Sequence, residues 1–270
     1  MIKKRKLKVK KLMLYAMLVK IPLLIYLIVT LSTIPAIDAI QYDVILGAHR
    51  GDSVEYPENT LDAIKSAVEK QEYQFIEFDI QYTKDMQIVV FHDSNLMRME
   101  GSTDKIIDLT YEELQEKTEL EIPLYKDVMD VIRNSKRVNI EIKSAGYLSL
   151  DENLVDFVLE DAKERGILKN ILISSISGDV VKYVSENYPE IKTGQIFFVV
   201  YSTYVNYDFT TRWVYDEVEE TGADYIMLYG SNIKNIESLV ELKPEGKTIC
   251  FWYFSDEMYV VQIDDMDCLW

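Results

Sequence analysis

Eight short apolar runs, separated for the most part by amphipathic stretches, punctuate this chain after residue 40, and the alternation restricts its possible folds more than any other feature. The runs are Val44–Ala48, Phe75–Gln81, Val138–Ile142, Ile171–Ser174, Gly194–Val200, Tyr225–Leu228, Thr248–Tyr253 and Asp267–Trp270. Gln87–Phe91 reads as an additional strand behind a tight turn at Lys84-Asp85-Met86. Helical periodicity fills the intervals, over Leu61–Glu69, Tyr111–Gln115, Tyr125–Asn134, Leu150–Arg165, Asp179–Asn187, Arg212–Glu220, Ile236–Leu242 and Asp256–Val260. Asn59 is the expected cap of the first helix, and Gly166 and Gly222 are expected stops. Eight strands alternating with helices over about 230 residues predict an α/β fold of the TIM (β/α)8 barrel type. A doubly wound sheet competes, but no GxGxxG follows the first run, which weakens its dinucleotide-binding version.

The N-terminus has a different character. Eight of the 29 basic residues lie in residues 1–20, which hold no Asp or Glu, so the remainder carries 21 basic against 46 acidic side chains. So acidic a body is poorly suited to gripping a nucleic acid backbone, and no nucleic acid partner is expected. An apolar stretch runs from Leu12 to Ile37, uncharged from Ile21 to Ile37, and extends back past Lys20 if that side chain snorkels. The expectation is a transmembrane helix. It divides the chain into residues 1–40, a basic cytoplasmic flank and anchor, and residues 41–270, the barrel. Basic residues before the span and acidic ones after it predict a single-pass protein of the cell membrane, N-terminus cytoplasmic and barrel extracytoplasmic. A cleaved signal peptide and a buried helix are the alternatives. The two cysteines, Cys250 and Cys268, form no metal knuckle, and their pairing is open.

The chain has only two histidines, and each follows a strand-like run: His49 in Ala48-His49-Arg50-Gly51 and His92 in Phe91-His92-Asp93. Barrel active sites sit where strands end, so the two imidazoles are expected at one rim. Glu77 and Asp79 lie two apart in Phe75-Ile76-Glu77-Phe78-Asp79-Ile80 and therefore share a face, as do Glu141 and Lys143 in Asn139-Ile140-Glu141-Ile142-Lys143. Three carboxylates directed into a barrel need pairing or coordination, and they suit a hard divalent cation, Ca²⁺ or Mg²⁺. Arg50 and Lys143 add the positive charge that an anionic phosphate requires. Two histidines can then divide the proton transfers of phosphodiester cleavage, one accepting from the nucleophile and one protonating the departing alkoxide.

These strings resemble the glycerophosphodiester phosphodiesterase family. The resemblance runs through Ala48-His49-Arg50-Gly51, Tyr56-Pro57-Glu58-Asn59-Thr60-Leu61, Ile76–Asp85, Val89–Leu96, Asp108-Leu109-Thr110, Ile122-Pro123-Leu124 and Asn139–Lys143, and thins afterwards. It implies a metal-dependent barrel hydrolase that cleaves glycerophosphodiesters, or glycerol-phosphate units of a lipid or polymer, to an alcohol and sn-glycerol 3-phosphate. By motif match, His49 and His92 are the acid–base pair, Glu77, Asp79 and Glu141 the metal ligands, and Arg50 and Lys143 the phosphate contacts. Trp252 lines the glycerol pocket, Asn59 has a supporting role, and Glu58 is either structural or a support behind the site residues. Met86 stands where the family usually has glycine, Tyr253-Phe254-Ser255 replaces a more polar string after Trp252, and the chain ends early after the expected eighth strand. Two alternatives follow: a lysophospholipase D-like or cyclic-phosphate-forming phosphodiesterase acting on lipids, and a catalytically weak protein that binds phosphorylated surface ligands.

Overall fold

Strand β1 (Asp43–Ala48) is the first described element and has a strand on either side. The computed structural model describes residues 43–199, 207–253 and 257–262. After β1 come β2 (Phe75–Tyr82), β3 (Ile88–Val90), β4 (Arg137–Ile142), β5 (Ile171–Ser175), β6 (Lys192–Phe197), β7 (Tyr225–Tyr229), β8 (Thr248–Trp252) and β9 (Met258–Gln262). They lie in the order β1-β9-β8-β7-β6-β5-β4-β2-β3, and β1 also pairs with β2, so the sheet closes on itself. The doubly wound alternative is excluded by that closure.

Period-two alternation divides each strand between two cores. From β2, Ile76, Phe78 and Ile80 face outward and pack under helices with Val128, Ile140, Val155 and Val158. Phe75, Leu172, Met227, Cys250 and Val260 form a separate apolar cluster inside the barrel. Gly47 makes room for it: a Cβ there would lie 2.1 Å from the Phe75 ring. The next inward positions along β2 and β4 are polar, so the barrel is apolar below and charged at its rim.

The helix Leu61–Glu69 has the expected bounds, but its cap is Thr60, whose hydroxyl accepts from the Ala63 amide; Asn59 is used elsewhere. Gly166 and Gly222 follow their helices in left-handed conformation, as expected of stops. The extra strand is β3, which pairs antiparallel with β2 over Ile80–Tyr82, beyond the two residues where β1 pairs with it. This hairpin carries His92 to the rim that His49 reaches from β1.

Two expectations are corrected. Met258–Val260, read as part of a helix, belongs to β9, which runs antiparallel to both β1 and β8 and closes the barrel. The eighth strand expected at residues 267–270 lies outside the described residues, as does Cys268. The expected transmembrane helix is the second correction. Among the described residues no helix is long and apolar enough to cross a membrane. The longest, Leu148–Glu164, has 17 residues and carries Asp151, Glu152, Asp156, Glu160, Asp161, Lys163 and Glu164. The apolar stretch over residues 12–37 lies outside the described residues. The fold class is accordingly a closed, TIM-barrel-like α/β fold, and the membrane anchor, the membrane as a partner and the single-pass location are set aside.

Candidate active site

β1 ends in a turn that departs from ordinary backbone geometry. Arg50 adopts φ 58° and Gly51 φ 74°. A Cβ at Gly51 would come within 2.8 Å of Ala63 backbone. The turn is held from β2, where the Arg50 amide donates to Glu77 Oε2 at 2.8 Å and the Gly51 amide to the Glu77 carbonyl at 3.0 Å. This inverts the chain so that His49 and Arg50 stay buried under the rim. His49 Nε2 lies 3.8 Å from Glu77 Oε2, and its ring stands 6.1 Å from that of Trp252. Burial, reinforced by the Arg50 charge, holds the imidazole well below its ordinary pKa, so the ring is kept neutral.

Register brings the acids together. β2 and β4 run parallel with Glu77 opposite Asn139 and Asp79 opposite Glu141. Glu77, Asp79 and Glu141 each offer an oxygen within 4.8 Å of the others, and all are buried. Lys143 Nζ donates to Glu141 Oε1 at 2.5 Å and lies 2.9 Å from Asp79 Oδ1. Asn59 Nδ2 donates to Asp79 Oδ2 at 2.8 Å, and Arg50 Nε stands 3.6 Å from the same oxygen. Burial opposes ionisation of Asp79, but Lys143, His92, Arg50 and the Asn59 hydrogen bond outweigh it and hold the carboxyl well below its usual value. Glu77 moves the other way, raised by burial and by the charges of Asp79 and Glu141. Its Oε1 has no hydrogen-bond partner among the described residues. A buried carboxylate with an unused oxygen, beside two more carboxylates, fits a hard divalent cation. These three residues would hold it.

His92 sits just beyond β3, its Nδ1 2.9 Å from Asp93 Oδ1. An ionised carboxylate only accepts, so Nδ1 carries the proton and Nε2 is the atom free for transfer. Gln81, two residues beyond Asp79 on the same strand, fixes this segment: its Nε2 donates to the Phe91 carbonyl at 2.7 Å and to that of Asp93 at 2.9 Å.

One pocket is lined by His49, Arg50, Glu77, His92, Asn139, Glu141, Lys143 and Trp252 among others. The predicted residues therefore converge, with Asp79 and Asn59 directly behind the lining. The sequence reading missed Asn139, a fully buried amide whose Oδ1 accepts from Ser174 Oγ at 2.8 Å. Its signal was its place two residues before Glu141, on the same face. Also missed was Arg98, which binds both Asp93 and Glu58.

Such a rim sets negative charge for a cation beside positive charge for an anion, inside a barrel closed around them. That layout is a TIM-barrel rim suited to a phosphate ester and a divalent cation together. Comparison with known proteins gives the family: the model for the glycerophosphoryl diester phosphodiesterase family matches residues 49–269, and the chain belongs to it. A glycerophosphodiester phosphodiesterase of Caldanaerobacter subterraneus subsp. tengcongensis is 34% identical over 163 residues, 56% of this chain and 65% of that protein. The crystal structure of a glycerophosphodiester phosphodiesterase from Thermotoga maritima superposes with a TM-score of 0.60 at 30% identity, covering 80% of this chain and 88% of that one. A human lysophospholipase D is 40% identical over 86 residues, 32% of this chain and 24% of that protein. The matched stretches thus span less than two thirds of these two curated relatives.

Proposed function

We propose that this protein hydrolyses glycerophosphodiesters to an alcohol and sn-glycerol 3-phosphate, using a divalent cation, Ca²⁺ or Mg²⁺, held by Glu77, Asp79 and Glu141. The observation that carries this reading is that the chain's only two histidines and its one buried carboxylate cluster among the described residues border the same pocket. When bound, the cation neutralises phosphate charge and polarises the phosphorus centre. Arg50, which is buried, and Lys143, which is partly buried, orient the phosphate oxygens from the sides. His49, held neutral, takes a proton from the attacking water. In its doubly protonated form His92 gives the Nε2 proton to the departing alkoxide and is left with the proton on Nδ1, while Asp93 keeps its ring oriented. Trp252 supplies an apolar wall for the glycerol carbons. Release of glycerol 3-phosphate from glycerophosphocholine, assayed with and without each cation, tests the proposal; a folded protein inert in every combination would refute it.

One observation favours a second reading, a lysophospholipase D-like preference. Ile176, which lines the pocket, is 58% exposed, and Phe198, 6.1 Å from the Trp252 ring, is 56% exposed. Apolar surface at a pocket mouth suits an alkyl chain on the substrate. Phosphorus NMR of products from lysophosphatidylcholine separates this reading from simple glycerophosphodiester hydrolysis and also reveals any cyclic phosphate.

A further inference from the structure

We propose that Arg98 is a positioning residue that clasps the two arms of the site, holding His92 through Asp93 and Arg50 through Glu58. The proposal rests on the phosphodiesterase reading above. Arg98 Nε donates to Asp93 Oδ2 at 2.7 Å, while Nη1 and Nη2 fork onto Glu58 Oε2 and Oε1 at 3.0 and 2.5 Å. Asp93 uses its other oxygen for His92 Nδ1, and Glu58 Oε1 also accepts from Arg50 Nη1 at 3.0 Å. A continuous chain of five side chains therefore joins the histidine of the β3 hairpin to the arginine of the β1 turn. Among the described residues no backbone pairing joins these two segments at the rim; β1 and β3 each pair with β2, at different levels.

The support of Arg98 is local and firm. It projects from the short helix Met97–Glu100, where Asn95 Oδ1 accepts the Met97 amide and Gly101 closes the turn in left-handed conformation. Leu96, fully buried against Val89, Phe91, Ile106 and Leu114, pins that helix to the hairpin. The guanidinium suits the task because its planar fork meets one carboxylate in bidentate fashion while Nε reaches a second. A lysine ammonium at this place reaches one carboxylate well and not both.

The two arms depend on the clasp unequally. Arg50 is also held by Glu77 through its amide and by Asp79 beside Nε, so its place survives loss of Arg98. His92 is oriented through Asp93, half of whose pairing is Arg98. Loss of the clasp therefore falls on proton transfer more than on substrate binding. The ordinary expectation for an arginine that is 46% exposed is a surface ion pair with little effect on stability, and the two roles separate on that point.

The test uses the full chain as wild type, Arg98→Ala, Arg98→Lys, Asp93→Asn and the Asp93→Asn/Arg98→Ala double variant, with glycerophosphocholine as substrate. Arg98→Ala is expected to lower kcat about 10- to 100-fold, with KM changed less than about threefold and Tm nearly unchanged. Arg98→Lys recovers part of kcat, and the double variant is no slower than Asp93→Asn alone, because both act through His92. An unchanged kcat in Arg98→Ala, or losses that multiply in the double variant, overturns the clasp. A wild type without turnover sinks the phosphodiesterase reading instead. In that case the clasp is decided by the imidazole ¹H–¹⁵N signals: Arg98→Ala must move those of His92 and spare those of His49, and unmoved His92 signals overturn it.

Discussion

Asp79 and Glu141 stand opposite each other in register on adjacent parallel strands, and one partly buried ammonium, that of Lys143, is within ion-pair distance of both. Two carboxylates side by side in a barrel repel, and Glu77 adds a third from the same strand as Asp79. Lys143 and Arg50 offset part of that charge and leave Glu77 Oε1 without a hydrogen-bond partner among the described residues. The site is arranged to gain most from a further cation.

Ca²⁺ or Mg²⁺ should therefore stabilise the fold. At a free concentration 100 times its dissociation constant, a cation that binds only the native state adds about 2.7 kcal/mol, a rise in Tm of roughly 5–10 °C for a domain this size. Differential scanning calorimetry with and without a chelator measures it. Glu77→Gln and Glu141→Gln should each abolish most of the shift, and an equal shift in both variants would place the cation elsewhere.

Replacing either histidine by alanine should reduce turnover about 10²- to 10⁴-fold with circular dichroism unchanged. The two should differ in rescue. The His92 side chain is 24% exposed and that of His49 is 5% exposed, so added imidazole should restore part of the activity of His92→Ala and little of that of His49→Ala. Equal rescue would mean that the pocket opens more widely than its walls indicate.

The i, i+2 spacing of Glu77 and Asp79 was enough to place both on one strand face, and strand ends were enough to bring His49 and His92 to one rim. Register was not legible: that Asp79 faces Glu141 depends on pairing between strands about sixty residues apart, which no local pattern encodes. β9 was misread for a related reason. Met258, Tyr259, Val260 and Val261 are apolar on both faces, and a short continuous apolar run is the case in which strand and helix cannot be told apart by periodicity. Asn59 has the side chain of a helix cap, yet Thr60 caps and Asn59 turns to Asp79, a partner 20 residues away. Arg98 carried no local signal, since its carboxylate Glu58 lies 40 residues back.

Met86 occupies a turn that asks for glycine: its φ is 62°, in the left-handed region, and its side chain is half exposed. Met86→Gly relieves about 1–2 kcal/mol of backbone strain against a glycine entropy cost of about 0.5–1 kcal/mol. A small rise in the urea midpoint with unchanged turnover is expected. A lower midpoint would show that Met86 packing outweighs its backbone strain.

Asp52 braces the turn that carries His49 and Arg50. Burial opposes its ionisation, but bonds from Lys70 at 2.8 Å, Ser66 at 2.5 Å and Tyr73 at 3.1 Å prevail and lower its pKa below the ordinary 3.8. A depressed folded-state value means that its contribution is complete above the unfolded value and is lost as pH falls through the folded one. The stability difference between wild type and Asp52→Asn should thus be constant from neutrality to about pH 5 and shrink at more acid pH. Urea titrations across that range decide it; a difference that grows on acidification contradicts the assignment.

The central claim is that the two histidines and the carboxylate cluster act as one phosphodiesterase site. Steady-state release of glycerol 3-phosphate from glycerophosphocholine by the full chain, run with Ca²⁺, with Mg²⁺ and with chelator for wild type and His92→Ala side by side, tests it most directly. Turnover that requires a cation and falls at least about a hundredfold in His92→Ala is the predicted result. Turnover that ignores the chelator, or persists undiminished in His92→Ala, would contradict it.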